Sequence, residues 1–411
     1  MPGFLTHWRV LIETAKRSQD AGNDLGSLII DTSTLHRRAI GLTSPPLTPP
    51  AGAVWDTGPL PLIDFTFPGS DISAMAYLGA MAPDVCYFLG DNFRKMLAGN
   101  RQDYRSTLQS PASGPISWAD LLHYNRSGDV LLAFLEHIAY IPSPALRSQA
   151  LAFAMGYLSH IATDIALNPC INALASTYNA DAVAGIFSPL SMRFYVQLCL
   201  DEYIADRYFK RPLYTWLGQP WARYIEPVAT QCATSQSIPS QVLGLLTNAA
   251  EIAYELTETQ SQSFRQDYLL GIQRLRKYLA GSGPFRLFTL QALNRKRSKD
   301  PILASIADLS TKPGTVNFEQ VISYTIQVSE HLCRRAISYY ASLRNTAASA
   351  SERNQRRSVL CEDLRNWNLH SGYVMDVTFD EEVTLHFLHN WVHFARLWEN
   401  EREAVANVIH H

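Results

Sequence analysis

A chain of 411 residues has room for one large domain or two ordinary ones, and its 47% hydrophobic and 18% charged side chains exclude a disordered chain. The 35 basic and 37 acidic residues give a formal net charge of -2 with no long basic run, which argues against nucleic acid as the main partner.

The predicted elements run as follows. Leu5, Trp8, Leu11 or Ile12 and Ala15 share one helical stripe, which predicts a helix over 5–20. Residues 21–70 read as irregular, because the proline pairs at 45–46 and 49–50 exclude regular helix. Long irregular segments of this kind often cover a site. Helices are predicted over 71–82, 117–124, 128–139, 145–167, 189–209 and 240–280, with a break at 281–284. Two or three more follow, over 317–344, 353–367 and 379–405, although residues 376–384 also alternate enough for a short strand. The small-residue patch Asn345 to Ser351 reads as a surface loop, and no internal repeat is visible. The fold expected is all-α, with a multi-helix domain over 1–284 and a helical C-terminal extension over 285–411 packed on it.

Cys86, Cys170, Cys199, Cys232, Cys333 and Cys361 stand singly, which reads as free thiols in a reducing compartment. Residues 1–17 lack the basic-then-apolar layout of a secretory signal. No run of about 18 apolar residues escapes a charge or a proline, so no transmembrane segment is predicted. The expectation is a cytoplasmic protein.

The most informative segment runs from Gly156 to Pro169. Residues four apart stand on one helix face, so Gly156, His160, Asp164 and Asn168 form a stripe. His and Asp one turn apart are ligands that zinc accepts through nitrogen and carboxylate oxygen. Gly156 is expected to leave room for a metal or substrate. The same His/Asp pair also fits a hydrogen-bonded core pair. The apolar surroundings of Phe153, Met155, Leu158, Ile161 and Ile165 favour a cation, since a buried Asp is costly without a cationic partner.

Four patches in order resemble the zinc-dependent phospholipase C family and, more distantly, the related single-strand nucleases. They are Leu5-Thr6-His7-Trp8, Leu78-Gly79-Ala80-Met81-Ala82-Pro83-Asp84, Leu122-His123-Tyr124 through Asp129, and Gly156-x-x-x-His160-x-x-x-Asp164. The resemblance spans about the first 210 residues, and Cys199 to Phe209, with Asp201 and Glu202, continues it. It implies a helical fold holding a cluster of up to three zinc ions. Asp84, His123, His160 and Asp164 would hold one, and Asp164 would bridge to a second held also by His7. The third set departs from the family pattern: Asn168-Pro169 stands where the family has His-Pro, and Arg193-x-x-x-Gln197 where it has His-x-x-x-Glu. One or two zinc ions are therefore expected rather than three. The Arg193 guanidinium is expected to supply positive charge where the third ion is lost.

Other candidates are His386, His389 and His393, spaced i, i+3 and i+7 with Asp380, Glu381 and Glu382 nearby; an aromatic-rich packing helix is the competing reading. Glu136-His137 reads as structural, and His36-Arg37-Arg38 as a solvated loop or an anion contact. Arg334-Arg335, Arg353 and Arg356-Arg357 read as exposed helix charges. Ser159 lies beside His160 in sequence and so points elsewhere, and no nucleotide-type phosphate loop is present.

Three functional readings follow. The first is a zinc-dependent hydrolase of phosphodiesters, possible phospholipid head groups included, with His7, Asp84, His123, His160 and Asp164 as ligands. In it Asp84 and Arg193 are catalytic, and Asn168, Gln197 and Arg193 bind substrate. The second is a metal-dependent biosynthetic enzyme on the same scaffold, catalysing hydrolysis, elimination or cyclisation. The third is a pseudoenzyme whose histidines only hold the core.

Overall fold

A computed structural model describes residues 3–20, 71–89, 118–124, 126–181, 189–209, 227–279 apart from 229 and 235, 318–364, 366–369 and 373–374. The expected all-α class is the one observed: helices dominate the described residues. Two two-residue strands, β1 (Trp367–Asn368) and β2 (Tyr373–Val374), pair antiparallel.

The organising element is a helix of 38 residues, α5 (Pro144–Asp181). From Ala150 to Asp164 its residues are buried on every side, as expected of a helix whose apolar residues do not keep to one stripe. By length and composition Pro144–Asn168 could cross a membrane, yet 94% of that apolar window is buried inside the protein, the environment of a core helix. Around it pack α1 (Phe4–Asp20), α2 (Asp71–Gly79), α4 (Ser127–Ala139), α6 (Pro189–Phe209), α7 (Ile238–Tyr254) and α9 (Phe318–Arg344). The short helix α3 (Trp118–Tyr124) and α8 (Glu258–Leu279) instead pack on a 3-10 turn, Pro83–Phe88.

Local chemistry sets several boundaries. The predicted helix over 240–280 is two helices. Glu255 takes a left-handed conformation (φ 54°) and ends α7 by donating its N–H to the Glu251 carbonyl. Ser237 caps the start of α7, accepting the Ser240 N–H at 3.2 Å. The helix predicted to end at 167 continues through Pro169 to Asp181. Proline sacrifices one backbone hydrogen bond there, and the burial of Leu167, Asn168, Cys170 and Ile171 around it outweighs that local cost. The helix predicted over 353–367 is α10 (Ala350–Leu364), which starts where Ser349 accepts the Glu352 N–H at 3.1 Å. The predicted 379–405 helix, the 376–384 segment and the irregular 21–70 stretch lie outside the described residues.

Helix α9 is tied to the rest by polar bonds as well as apolar packing. Arg9, fully buried on α1, pairs with Glu319 at 3.3 Å, and the Tyr203 hydroxyl donates to the same carboxylate at 2.9 Å. The Tyr339 hydroxyl donates to Glu136 at 2.9 Å, and Arg357 of α10 reaches that carboxylate at 3.0 Å. Glu136 is thus structural, as its sequence context implied. All six cysteines are free thiols.

Candidate metal centre

The contact between α2 and α5 brings the site together. A Cβ on Gly156 would fall 2.0 Å from the Ala76 carbonyl oxygen, and one on Gly79 would fall 2.1 Å from that of Phe153. The two backbones therefore touch where each glycine faces the other helix. This corrects the expectation for Gly156: its missing side chain makes room for a helix backbone, not for a metal or substrate. The close approach has a direct consequence for the site. It brings the Ala80 carbonyl within 2.9 Å of His160 Nδ1, which donates to it.

His123 is oriented in the same manner but from its own helix. Its Nδ1 donates to the Ala119 carbonyl one turn earlier on α3, at 2.6 Å. Both rings thereby direct Nε2 inward, the arrangement by which a backbone carbonyl fixes the tautomer of a metal-ligating His. Asp84 enters from the 3-10 turn, Asp164 from α5 one turn beyond His160, and His7 from α1.

All five side chains are fully buried and converge. His123 Nε2 lies 3.0 Å from Asp84 Oδ1 and 3.6 Å from Asp164 Oδ2. His160 Nε2 lies 3.3 Å from Asp164 Oδ2 and 3.8 Å from Asp84 Oδ1. His7 Nε2 lies 3.6 Å from Asp164 Oδ1 and 3.8 Å from Asp84 Oδ2, and its ring stacks on that of His160 with centroids 4.0 Å apart.

The donors fit a divalent cation on two grounds. Groups about 2.0–2.2 Å from a shared tetrahedral ion stand roughly 3.4 Å from one another, the spacing seen here. In addition, both ring nitrogens of His7, Asp84 Oδ2 and Asp164 Oδ1 are buried without a hydrogen bond. A carboxylate oxygen facing the unprotonated nitrogen of an imidazole is lone pair against lone pair, which is costly unless a proton or a cation lies between them. The donors form two overlapping groups, His7/His160/Asp164 and Asp84/His123/His160, each with ligand atoms within 4.8 Å of one another.

The electrostatics agree. Burial works to lower the pKa of His160, but the carboxylates of Asp164 and Asp84 outweigh it and hold the ring above its usual value. Burial opposes ionisation of Asp164, yet His160 keeps its carboxyl well below the usual range. His7 is pushed well below the usual range by burial and by His160, so it is a neutral ligand at pH 7.

The remaining predicted residues are placed as follows. Asn168, buried one turn beyond Asp164, donates its side-chain amide to the Leu369 carbonyl. The Leu369 N–H in turn donates to the His123 carbonyl at 2.7 Å, satisfying one of the open carbonyls at the end of α3. The C-terminal segment is thus hydrogen-bonded to two of the donor-bearing helices, α3 and α5, a tie that nothing in the sequence signals. Gln197 is buried on α6, and Arg193 belongs to the same helix, with a side chain outside the described residues. His36, Asp380, Glu381, Glu382, His386, His389 and His393 also lie outside them. His137 bonds the Ala133 carbonyl at 2.7 Å, away from the cluster.

Comparison with known proteins supports the same class. The family described as zinc dependent phospholipase C matches residues 60–167, a stretch that contains four of the five converging side chains, Asp84, His123, His160 and Asp164. Over this stretch the chain is zinc-dependent phospholipase C-like, as the motif resemblance implied. No curated protein and no solved structure matches the chain.

Proposed function

We propose that this protein is a zinc-dependent hydrolase of phosphodiesters, acting on a small molecule or a lipid head group. The observation that carries the reading is the convergence of three imidazole Nε2 atoms and two carboxylates in one fully buried cluster. His7, Asp84, His123, His160 and Asp164 would hold one or two zinc ions. Zinc bound there supplies Lewis-acid activation of water and neutralises a phosphate oxyanion.

The chain's own groups do the rest. Asp84 Oδ2, buried and without a hydrogen bond, is the acceptor proposed for the proton of the attacking water. Arg193 is proposed to contact the phosphate oxygens, with Gln197 one turn along α6 and Asn168 contributing polar contacts. One N–H of the Asn168 amide is already committed to Leu369. The six free thiols support a cytoplasmic setting.

The test is an assay of the purified protein on p-nitrophenyl phosphorylcholine, with and without chelator. Turnover that is lost on chelation and restored by zinc supports the reading. Bound zinc with no turnover of this or other phosphodiesters overturns it in favour of a second reading, a biosynthetic enzyme on the same scaffold. The bonding of Leu369 across His123 and Asn168 favours that alternative, because it sets a backbone segment against two of the helices that carry the donors. Protein without metal after purification and zinc reloading overturns both and leaves a pseudoenzyme.

A further inference from the structure

We infer that Asp201 is the residue that positions His7 for metal binding, acting through the first turn of α1; this rests on the metal-site reading above.

A helix leaves its first N–H groups without intrahelical partners, and a side chain from the residue just before the helix usually satisfies them. Here that residue is Gly3, which has no side chain to offer. The cap comes instead from α6. Asp201 Oδ2 accepts the Leu5 N–H at 3.2 Å, and Oδ1 accepts the Thr6 N–H at 3.0 Å and the Thr6 hydroxyl at 2.8 Å. The first N–H of α1 with a partner inside its own segment is that of His7, which donates to the Gly3 carbonyl at 3.2 Å. One buried carboxylate 195 residues away thus fixes the turn from which His7 projects.

Of the three histidines, His7 is the one whose position depends on this. His123 and His160 each have a carbonyl on Nδ1 that sets the ring. Neither ring nitrogen of His7 has a hydrogen bond, and its polar approaches are the ion-pair distances inside the cluster. With no bond to orient the ring, the imidazole takes its place from the backbone of α1 and from stacking on His160. Asp201 holds that backbone. Gly3 is part of the device, since a Cβ there would fall 2.2 Å from the Asp201 carboxylate. It must be glycine for the carboxylate to close on the helix end.

The test compares zinc affinity and stoichiometry of the full chain with those of Asp201→Ala, Asp201→Asn, Gly3→Ala and His7→Ala, by competition with a chromophoric chelator. Asp201→Ala is expected to weaken zinc at the His7 site about 10–100-fold, the usual effect of removing an outer partner of a metal ligand. Asp201→Asn, which keeps one acceptor oxygen, is expected to recover part of that loss. Gly3→Ala, which displaces the carboxylate while leaving Asp201 in place, is expected to weaken zinc in the same way. The pair Asp201→Ala with His7→Ala is expected to lose no more than His7→Ala alone, because both act on one ligand. Lower unfolding stability with unchanged zinc affinity in the folded variants overturns the inference and makes Asp201 a purely structural cap. Should the alanine variant not fold, Asp201→Asn and Gly3→Ala decide by the same measurement. Absence of zinc from the native protein after reloading is a different result: it removes the metal-site reading itself, and this inference with it.

Discussion

Asp164→Asn is expected to abolish zinc binding while leaving the fold intact. The substitution keeps the shape of the side chain and removes the charge that lies closest to His7, His123 and His160 together, at 3.3–3.6 Å from each Nε2. Losing an outer partner of a ligand costs ~10–100-fold in affinity, so losing an anionic ligand is expected to exceed ~100-fold. The measurement is isothermal titration with zinc, read beside the thermal shift. Native protein at a free zinc concentration of about 100 times the dissociation constant gains ~2.7 kcal/mol of stability, and the variant is expected to gain none. Native-like affinity in Asp164→Asn would sink the metal centre as drawn.

The same titration has a defined pH dependence. His160 is held above its usual pKa, so at and below neutral pH a proton competes with the cation for Nε2. Affinity is expected to rise with pH through the His160 titration and to flatten above it, with protons released into the buffer on binding. His7, pushed the other way, adds no proton competition near neutrality. In the metal-free protein the sign is opposite for stability. A raised His160 contributes stability that is complete below about pH 6.5 and lost as pH rises through its folded pKa. The lowered Asp164 contributes above about pH 4 and is lost as pH falls.

Gly156→Ala is expected to destabilise the protein by roughly 3 kcal/mol or more, at the upper end of overpacking substitutions. The added methyl would stand 2.0 Å from the Ala76 carbonyl oxygen and 2.7 Å from the Ala80 nitrogen. Both atoms are backbone and cannot rotate away, so α2 and α5 must move apart. Any separation also draws the Ala80 carbonyl from His160 Nδ1, so zinc affinity is expected to fall together with stability. Urea unfolding with and without zinc checks this. A glycine that merely left space for substrate would give another pattern, a raised KM at unchanged stability. Gly79→Ala, which meets the Phe153 carbonyl at 2.1 Å, is expected to behave like Gly156→Ala.

Sequence alone determined the helical class, most helix positions and the pairing of His160 with Asp164. Each of these depends on local periodicity: residues four apart on a helix share a face wherever the helix is placed. The motif resemblance added Asp84, His123 and His7 as partners, and all five side chains meet in the structure. Only the tertiary structure decided what the ligands rest on. The carbonyls of Ala80 and Ala119 orient two histidines, and a backbone oxygen has no residue-type signature. Gly156 looked like room for a ligand, because one sequence cannot tell a glycine that faces a cavity from one that faces another helix. The passage of α5 through Pro169 and the capping of α1 by Asp201 were invisible for the same physical reason. In both, contacts between residues far apart in the chain outweigh the preference of the local segment, and such contacts exist only once the chain has packed.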